Sequence, residues 1–360
     1  MTHSLNTLRL CLAALGLLVA SCADPESATL DSGSTETSVD GDGLTSDVSP
    51  ISDSEIPSHE VLTDDALEVW TPEVASPPSA CQGAYDEPVA AFTLPGAQLL
   101  EISGLVASRQ TPGALWAHND SGAQAELLAF SEAGLLTRLT LQDIEAIDWE
   151  DLAMATCPKS NGDCLWVADM GNNLKNREVL SVIVVEEPAI GSAVEQTRAA
   201  QAIYTFSYPD DTMDAEALLV SPQGDRFYIL EKTDGDTARV FSSPTPLTTD
   251  DTMTLVELTT MQSPGEPIPY GKMITGAELH PTGSRMAVRC YTGTWEFRFG
   301  EGQGIEHLGE ITPTYVALGP LVEVQGEAVT YDAAGVDLFT ASEDPNGLGE
   351  QPVHRYACQD

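Results

Sequence analysis

Five stretches of the chain repeat one pattern, and that repetition limits the fold more than any other feature. They are "EISGLVASRQTPGALWAHNDSG" (101–122), "DWEDLAMATCPKSNGDCLWVADMGNN" (148–173), "DAEALLVSPQGDRFYILEKTDGD" (214–236), "ITGAELHPTGSRMAVRCYTG" (274–293) and "QGEAVTYDAAGVDLFTASEDPNG" (325–347). Each has a small or acidic residue, a short apolar strand, a turn with Gly or Asn, a second apolar strand and a polar loop. Anchored at Ser103, Glu150, Glu216, Thr275 and Glu327, the spacings are 47, 66, 59 and 52 residues. A period of this size in an all-strand chain predicts a β-propeller. A two-sheet sandwich would not produce it.

Further strands fill out the units. "ARVFSSP" with "MTLVELTT", and "TWEFRF" with "TYVALG", bring the count to four strands per blade. The last repeat supplies only three: "EAVTYD", "DLFTAS" and "PVHRYA". The fourth is expected from the N-terminal side, "VAAFTL" (89–94), which would close the ring. The reading is all-β, five four-stranded blades over 81–360, with six blades as the alternative if the long 150–216 interval hides a degenerate one.

The segment before residue 81 is different. Residues 1–21 carry one basic residue, Arg9, and the apolar run "LCLAALGLLVA", too short to span a bilayer as a mature helix. The run ends in Val19-Ala20-Ser21-Cys22, which resembles the bacterial lipobox. The resemblance implies cleavage before Cys22, its lipidation, and a cell-envelope lipoprotein anchored to a membrane by its acyl chains. Ala23 follows the cysteine, so an outer-membrane or surface position is expected. Residues 22–80 read as a tether: from 23 to 80 there are 14 Asp plus Glu and no Lys or Arg. Such a segment cannot bury enough surface to offset its ordering entropy, and its like charges extend it.

Cysteine usage suits an oxidising compartment. Cys157 and Cys164 flank "PKSNGD", so a bridge closing a hairpin is expected. Cys81 and Cys358 lie at the two ends of the folded region and are expected to staple them. Cys290, in an apolar strand, is left over and reads as buried and free. The formal charge of −41 repels nucleic acid and keeps the molecule apart from its own copies, so a monomer is expected.

In a blade, the start of the first strand and the end of the second lie on one face. Two sets of polar residues therefore converge on one rim of the central channel. The starts bring Glu101, Asp148, Glu150, Asp214, Glu216 and Glu327. The ends bring "HNDSG", "ADMGNN", "EKTDG", "RCYTG" and "SEDPNG". Hard oxygen ligands suit calcium, and Glu150, Asn172, Asp214 and Glu216 are the candidate metal ligands. His118 and Glu327 are the candidate general bases. Asp120, Asp151, Lys232, Arg289 and Tyr291 are candidates for holding a ligand, an unknown small molecule or surface protein. In so acidic a chain, Lys232 and Arg289 stand out, because both close second strands. They either pair with rim acids or bind an anionic group. The acids either accept N–H groups between blades or form a site.

The ordered motif set "ISGLVAS…LWAHNDSG…DWEDLA…LWVADMGNN…DAEALL…GAELHPTG…GEAVTYD" resembles a family of secreted bacterial propeller-type proteins, over about residues 101–345. That resemblance implies the fold and an extracytoplasmic location. Members often read "DIGDN" where this chain has Asp169-Met170-Gly171-Asn172-Asn173, so Asn172 replaces a carboxylate. More distantly, the acids at the channel mouth are similar to those of calcium-dependent propeller hydrolases such as lactonases and phytases. Two functions follow as expectations. One is a surface propeller that binds a ligand or partner at its rim. The other is a calcium-assisted hydrolase or esterase acting there.

Overall fold

The computed structural model describes residues 81–360 except 94–98, 121, 192–193, 318–322, 324, 345–351 and 360. The signal segment, Cys22 and the tether lie outside the described residues.

Strand β1 (Val89–Thr93) comes first in the chain but last in the ring. Blade 1 is β2 (Ile102–Ala107), β3 (Leu115–Asn119), β4 (Glu126–Ser131) and β5 (Gly134–Gln142). Blade 2 begins with β6 (Trp149–Thr156), β7 (Asp163–Asp169) and β8 (Leu180–Glu186). The chain then steps back: β9 (Glu195–Ala199) adds to β5 as a parallel fifth strand, and β10 (Ala202–Ser207) completes blade 2. Blade 3 is β11 (Ala215–Val220), β12 (Phe227–Glu231), β13 (Thr237–Ser242) and, later, β15 (Val256–Gln262). Between them β14 (Met253–Thr254) returns to pair in parallel with β10. Blade 4 is β16 (Ile274–Leu279), β17 (Arg285–Cys290), β18 (Gly293–Arg298) and β19 (Thr314–Ala317). Blade 5 is β20 (Gln325–Tyr331), β21 (Leu338–Glu343) and β22 (Pro352–Tyr356), with β1 antiparallel on its outer edge.

The result is a five-bladed propeller. The long 150–216 interval is no sixth blade; its extra length is the excursion to β9. The segment "MTLVELTT" is two elements, because Met253 and Thr254 serve blade 2.

The innermost strands show why the chain reads as continuous apolar runs. In β2, β6 and β11 nearly every residue is buried, because each sheet face meets a neighbouring blade. The outer β5 alternates half-buried and buried residues. Five apolar clusters join blade 1 to 2, 2 to 3, 3 to 4, 4 to 5 and 5 to 1. Examples are Trp116 with Trp149 and Leu152 between blades 1 and 2, and Phe206 with Phe227 between blades 2 and 3. The ring therefore closes through equivalent packing at every interface.

Both expected disulfides are present, Cys81–Cys358 and Cys157–Cys164, and Cys290 is free and buried. The rim opposite the acids carries the hairpin turns, and Gly224, at φ 67°, makes one of them. Outer edges are covered or charged. Strand β9 is largely exposed and carries Glu195 and Arg198, while the 3-10 turn Ile305–Glu310 packs on β15.

Candidate functional site at the channel mouth

Every innermost strand breaks register at the same place. The irregularities fall between Ile102 and Leu105, Trp149 and Asp151, Ala215 and Ala217, Ile274 and Gly276, and Gly326 and Ala328. The extra residues are the anchors Ser103, Glu150, Glu216, Thr275 and Glu327. A bulge re-aims the residue it inserts, and repeated five times it builds a ring. Neighbouring bulges touch: Ser103 donates to the Glu150 carbonyl (2.5 Å) and Thr275 to the Gly326 carbonyl (2.8 Å).

A second ring lies just outward. The strand register opposes Ile102 to Asn119, Trp149 to Asp169, Ala215 to Glu231, Ile274 to Cys290 and Gly326 to Ser342. The next residue in each blade is therefore Asp120, Met170, Lys232, Tyr291 and Glu343. The backbone continues the hairpins through them, with N–H groups of Asp120, Met170 and Lys232 donating to the carbonyls of Glu101, Asp148 and Asp214. Between them the two rings hold the carboxylates of Asp120, Glu150, Glu216, Glu327 and Glu343, and a single ammonium.

That ammonium is fully engaged. Lys232 Nζ pairs with Glu216 Oε1 and lies 5.6 Å from the centre of the Tyr291 ring. Burial alone would lower its pKa, but Glu216, Tyr291 and Glu327 outweigh burial and raise it well above the ordinary value. The acids are held protonated more readily than usual. Burial, then Glu216 and Asp120, raise Glu150 well above the carboxylate range. Burial brings Glu216 to about 7, with Lys232 opposing. Burial and then Glu216 raise Glu327, and burial and then Asp120 bring Glu343 to about 8. Asp148 sits at the entrance of β6. Burial raises its pKa, Arg177 and Lys232 oppose the shift, and Asp169 and Asp214 reinforce it. Ligand oxygens of Asp120, Asp148 and Glu150 all lie within 4.8 Å of one another.

The other candidates fall elsewhere. Arg289 is not the counterpart of Lys232. It lies opposite Gly276, two residues deeper, and its guanidinium pairs with Glu323 (2.6 Å) and Thr294 (3.1 Å) in the interior. Tyr291 is the true counterpart. His118 is fully buried one level below the mouth; its Nδ1 is 2.9 Å from the Asn119 carbonyl. Burial lowers its pKa to about 4, and the Asn119 and Asp151 backbones restore only part, so it is a poor base in a position closed to substrate. Asn172 is consumed as a loop clamp. Its Oδ1 accepts from Asn176 and Arg177, and its Nδ2 donates to the Arg177 and Met213 carbonyls. Asp214 accepts from the Asn172 N–H at 3.2 Å. Asp151 is buried in the channel, where its carboxylate accepts the N–H groups of Leu152 (2.8 Å), Leu218 (2.8 Å) and Ala277 (3.3 Å). It ties together the inner strands of blades 2, 3 and 4.

The sequence places Asp148 and, within "SEDPNG", Glu343 on the rim, but gives neither a catalytic, ligand-binding or metal role. The signal existed: counting 16 residues on from Glu216, Thr275 and Glu327 gives Lys232, Tyr291 and Glu343.

No family model matches the chain, and no curated protein matches it. Among solved structures it is similar to that of U3-55K, at 14% identity over 71% of this chain and 67% of that chain, with a TM-score of 0.33. It is also similar to a luciferin-regenerating enzyme, at 10% identity over 75% of this chain and 95% of that one, with a TM-score of 0.39.

Proposed function

We propose that this is a cell-envelope lipoprotein, anchored through Cys22, whose propeller binds a ligand or partner at the acidic mouth of its channel. One observation carries the reading. The mouth gathers mutually repelling, buried carboxylates at positions where the same architecture accepts Ser103, Thr275 or Met170. Burying several like charges side by side opposes folding, so neutral residues would serve stability better. The acids fit a role in recognition, and their sign favours a cationic ligand or a basic surface. Capture of such a ligand is expected to weaken in the Glu327→Gln, Glu343→Gln double variant, which removes two negative charges from the mouth, with a cooperative melting transition retained. Palmitate incorporation is expected in the natural chain and not in Cys22→Ser. Capture indifferent to the mouth, or labelling that persists in Cys22→Ser, refutes the corresponding half.

The close approach of Asp120, Asp148 and Glu150 favours a second reading, a metal-assisted hydrolase. Glu327 is then the proton-transfer group, because His118 lies below the mouth. Ester or phosphoester turnover that survives purification and is lost in Glu327→Gln would establish it.

A further inference from the structure

We infer that the outer edge of β1 is a docking site for an extended, basic segment of another polypeptide, which adds to blade 5 as a fifth strand. The site lies at the seam of blades 5 and 1, toward the rim opposite the mouth, and does not rest on the reading of the mouth.

The support comes from how the other blades treat their edges. In blades 2 to 5 the segment between the third and fourth strands reaches back to the preceding blade. In blade 2 it is β9, which joins β5 of blade 1 in parallel. In blade 3 it is β14, which joins β10 of blade 2 in parallel. In blade 4 it is the 3-10 turn Ile305–Glu310, which packs on β15 of blade 3. In blade 5 it is the stretch before β1, which rests on blade 4. There Arg285 donates to the Cys81 carbonyl, Arg298 to the carbonyls of Gln82 and Gly83, and Tyr85 Oη to Glu296 (3.1 Å). Blade 1 is the exception. Only Glu132 and Ala133 separate β4 from β5, so nothing from there reaches back to blade 5. Among the described residues, no strand pairs with the outer edge of β1.

That edge suits a further strand. The β1 sequence, VAAFT, carries no charge, and Val89 is 60% exposed. A bare, uncharged edge presents unpaired N–H and C=O groups and templates another strand. Its one irregularity, between Ala90 and Phe92, lies in the pairing with β22. Beside β1 is a cleft of about 950 Å³, and the short β4–β5 turn forms part of its wall. Phe92 and Phe339 line it and are only partly covered by the cluster between blades 5 and 1. An added strand buries more of both rings.

Charge selects the occupant. The charged residues of the cleft are Glu132, Asp332, Asp337 and Arg355. Arg355 pairs with Asp337 (2.5 Å), and among the described residues no ion pair holds Glu132 or Asp332. The cleft is therefore negative. Like charge disfavours the chain's own residues 23–80, with 14 acids and no Lys or Arg, and a second copy carrying −41. A foreign strand that alternates Lys or Arg with apolar residues fits both the edge and the cleft.

Hydrogen–deuterium exchange of the full-length chain in detergent tests the site. The probe is a short blocked peptide alternating lysine with valine; its counterpart carries glutamate in place of lysine. At about 1 mM, the lysine peptide is expected to slow the fast-exchanging amides of residues 89–93 at least about tenfold. The glutamate peptide should leave them unchanged. Val89→Lys puts a charge on the edge, and Glu132→Lys reverses one in the cleft. Both residues are exposed, and each variant is expected to weaken lysine-peptide binding at least about tenfold. The Glu327→Gln, Glu343→Gln double variant at the mouth should keep the β1 protection. Unchanged exchange at 89–93, protection confined to the mouth, or equal protection by both peptides overturns the site. So does protection of that edge before any peptide is added. If it is independent of protein concentration, the chain covers its own edge; if it grows with concentration, a second copy does.

Discussion

Asp151 shows how far a single side chain can act from where the sequence places it. In "AIDWEDLA" it is the acid without an acidic counterpart in other repeats, which marks it for a task of its own. The task is to accept backbone N–H groups from three blades inside the channel. Two of those donors, Leu218 and Ala277, are far from Asp151 in the chain, so nothing local could reveal them. Asp151→Ala leaves buried donors unpaired, each costing about 1–3 kcal/mol, and is expected to destabilise the domain by at least about 3 kcal/mol in urea melts. Asp151→Asn, which keeps one acceptor oxygen, should cost less. Glu323 gives a pH signature of the opposite kind. Burial pushes its pKa up, but Arg289, His354 and Thr340 outweigh burial and hold it at about 2. A depressed carboxylate contributes stability above its unfolded pKa, near 4.5, and loses it as pH falls through about 2. In Glu323→Gln the acid-induced fall in stability over that window is expected to flatten, by a few kcal/mol in order of magnitude. Arg289, left buried without its carboxylate, should also lower stability at neutral pH.

At the scale of elements, the strands and turns were legible and the bulges were not. Apolar runs bounded by Gly, Asn and Asp mark strands because the backbone chemistry of turns is local. A bulge leaves no such mark; it is a relation between two strands. That is why the anchors could be aligned as a repeat without its being visible that they share one inserted residue. The same relation makes Tyr291, and not the neighbouring Arg289, the counterpart of Lys232. The bulges sit where blades approach most closely. A Cβ at Gly276 would lie 2.5 Å from the Glu327 carbonyl oxygen of the next blade. Gly276→Ala is therefore expected to destabilise by about 1–3 kcal/mol through overpacking, measured by thermal melting. Gly113→Ala meets nothing within 4 Å; what opposes it is its φ of 79°.

For the whole molecule, the blade count and the seam followed from the sequence because closure is a counting problem. The last repeat lacks a strand, and one unassigned strand lies before the first. The step back to β9 was hidden, since a parallel pair forms no turn motif. The bridge between Cys81 and Cys358 encloses 277 residues of separation. Replacing both cysteines by serine is expected to cost about 2–5 kcal/mol and to lower the melting temperature, as is reducing the natural chain.

The place of Cys81 has a mechanical consequence. It precedes β1, so a pull arriving along the chain from residue 80 reaches the disulfide before it reaches the seam. Part of the load passes covalently to Cys358, which sits two residues beyond β22. The hydrogen bonds between β1 and β22 are thus shielded from being unzipped one at a time, and the ring resists tension as a clasped belt does, at its buckle.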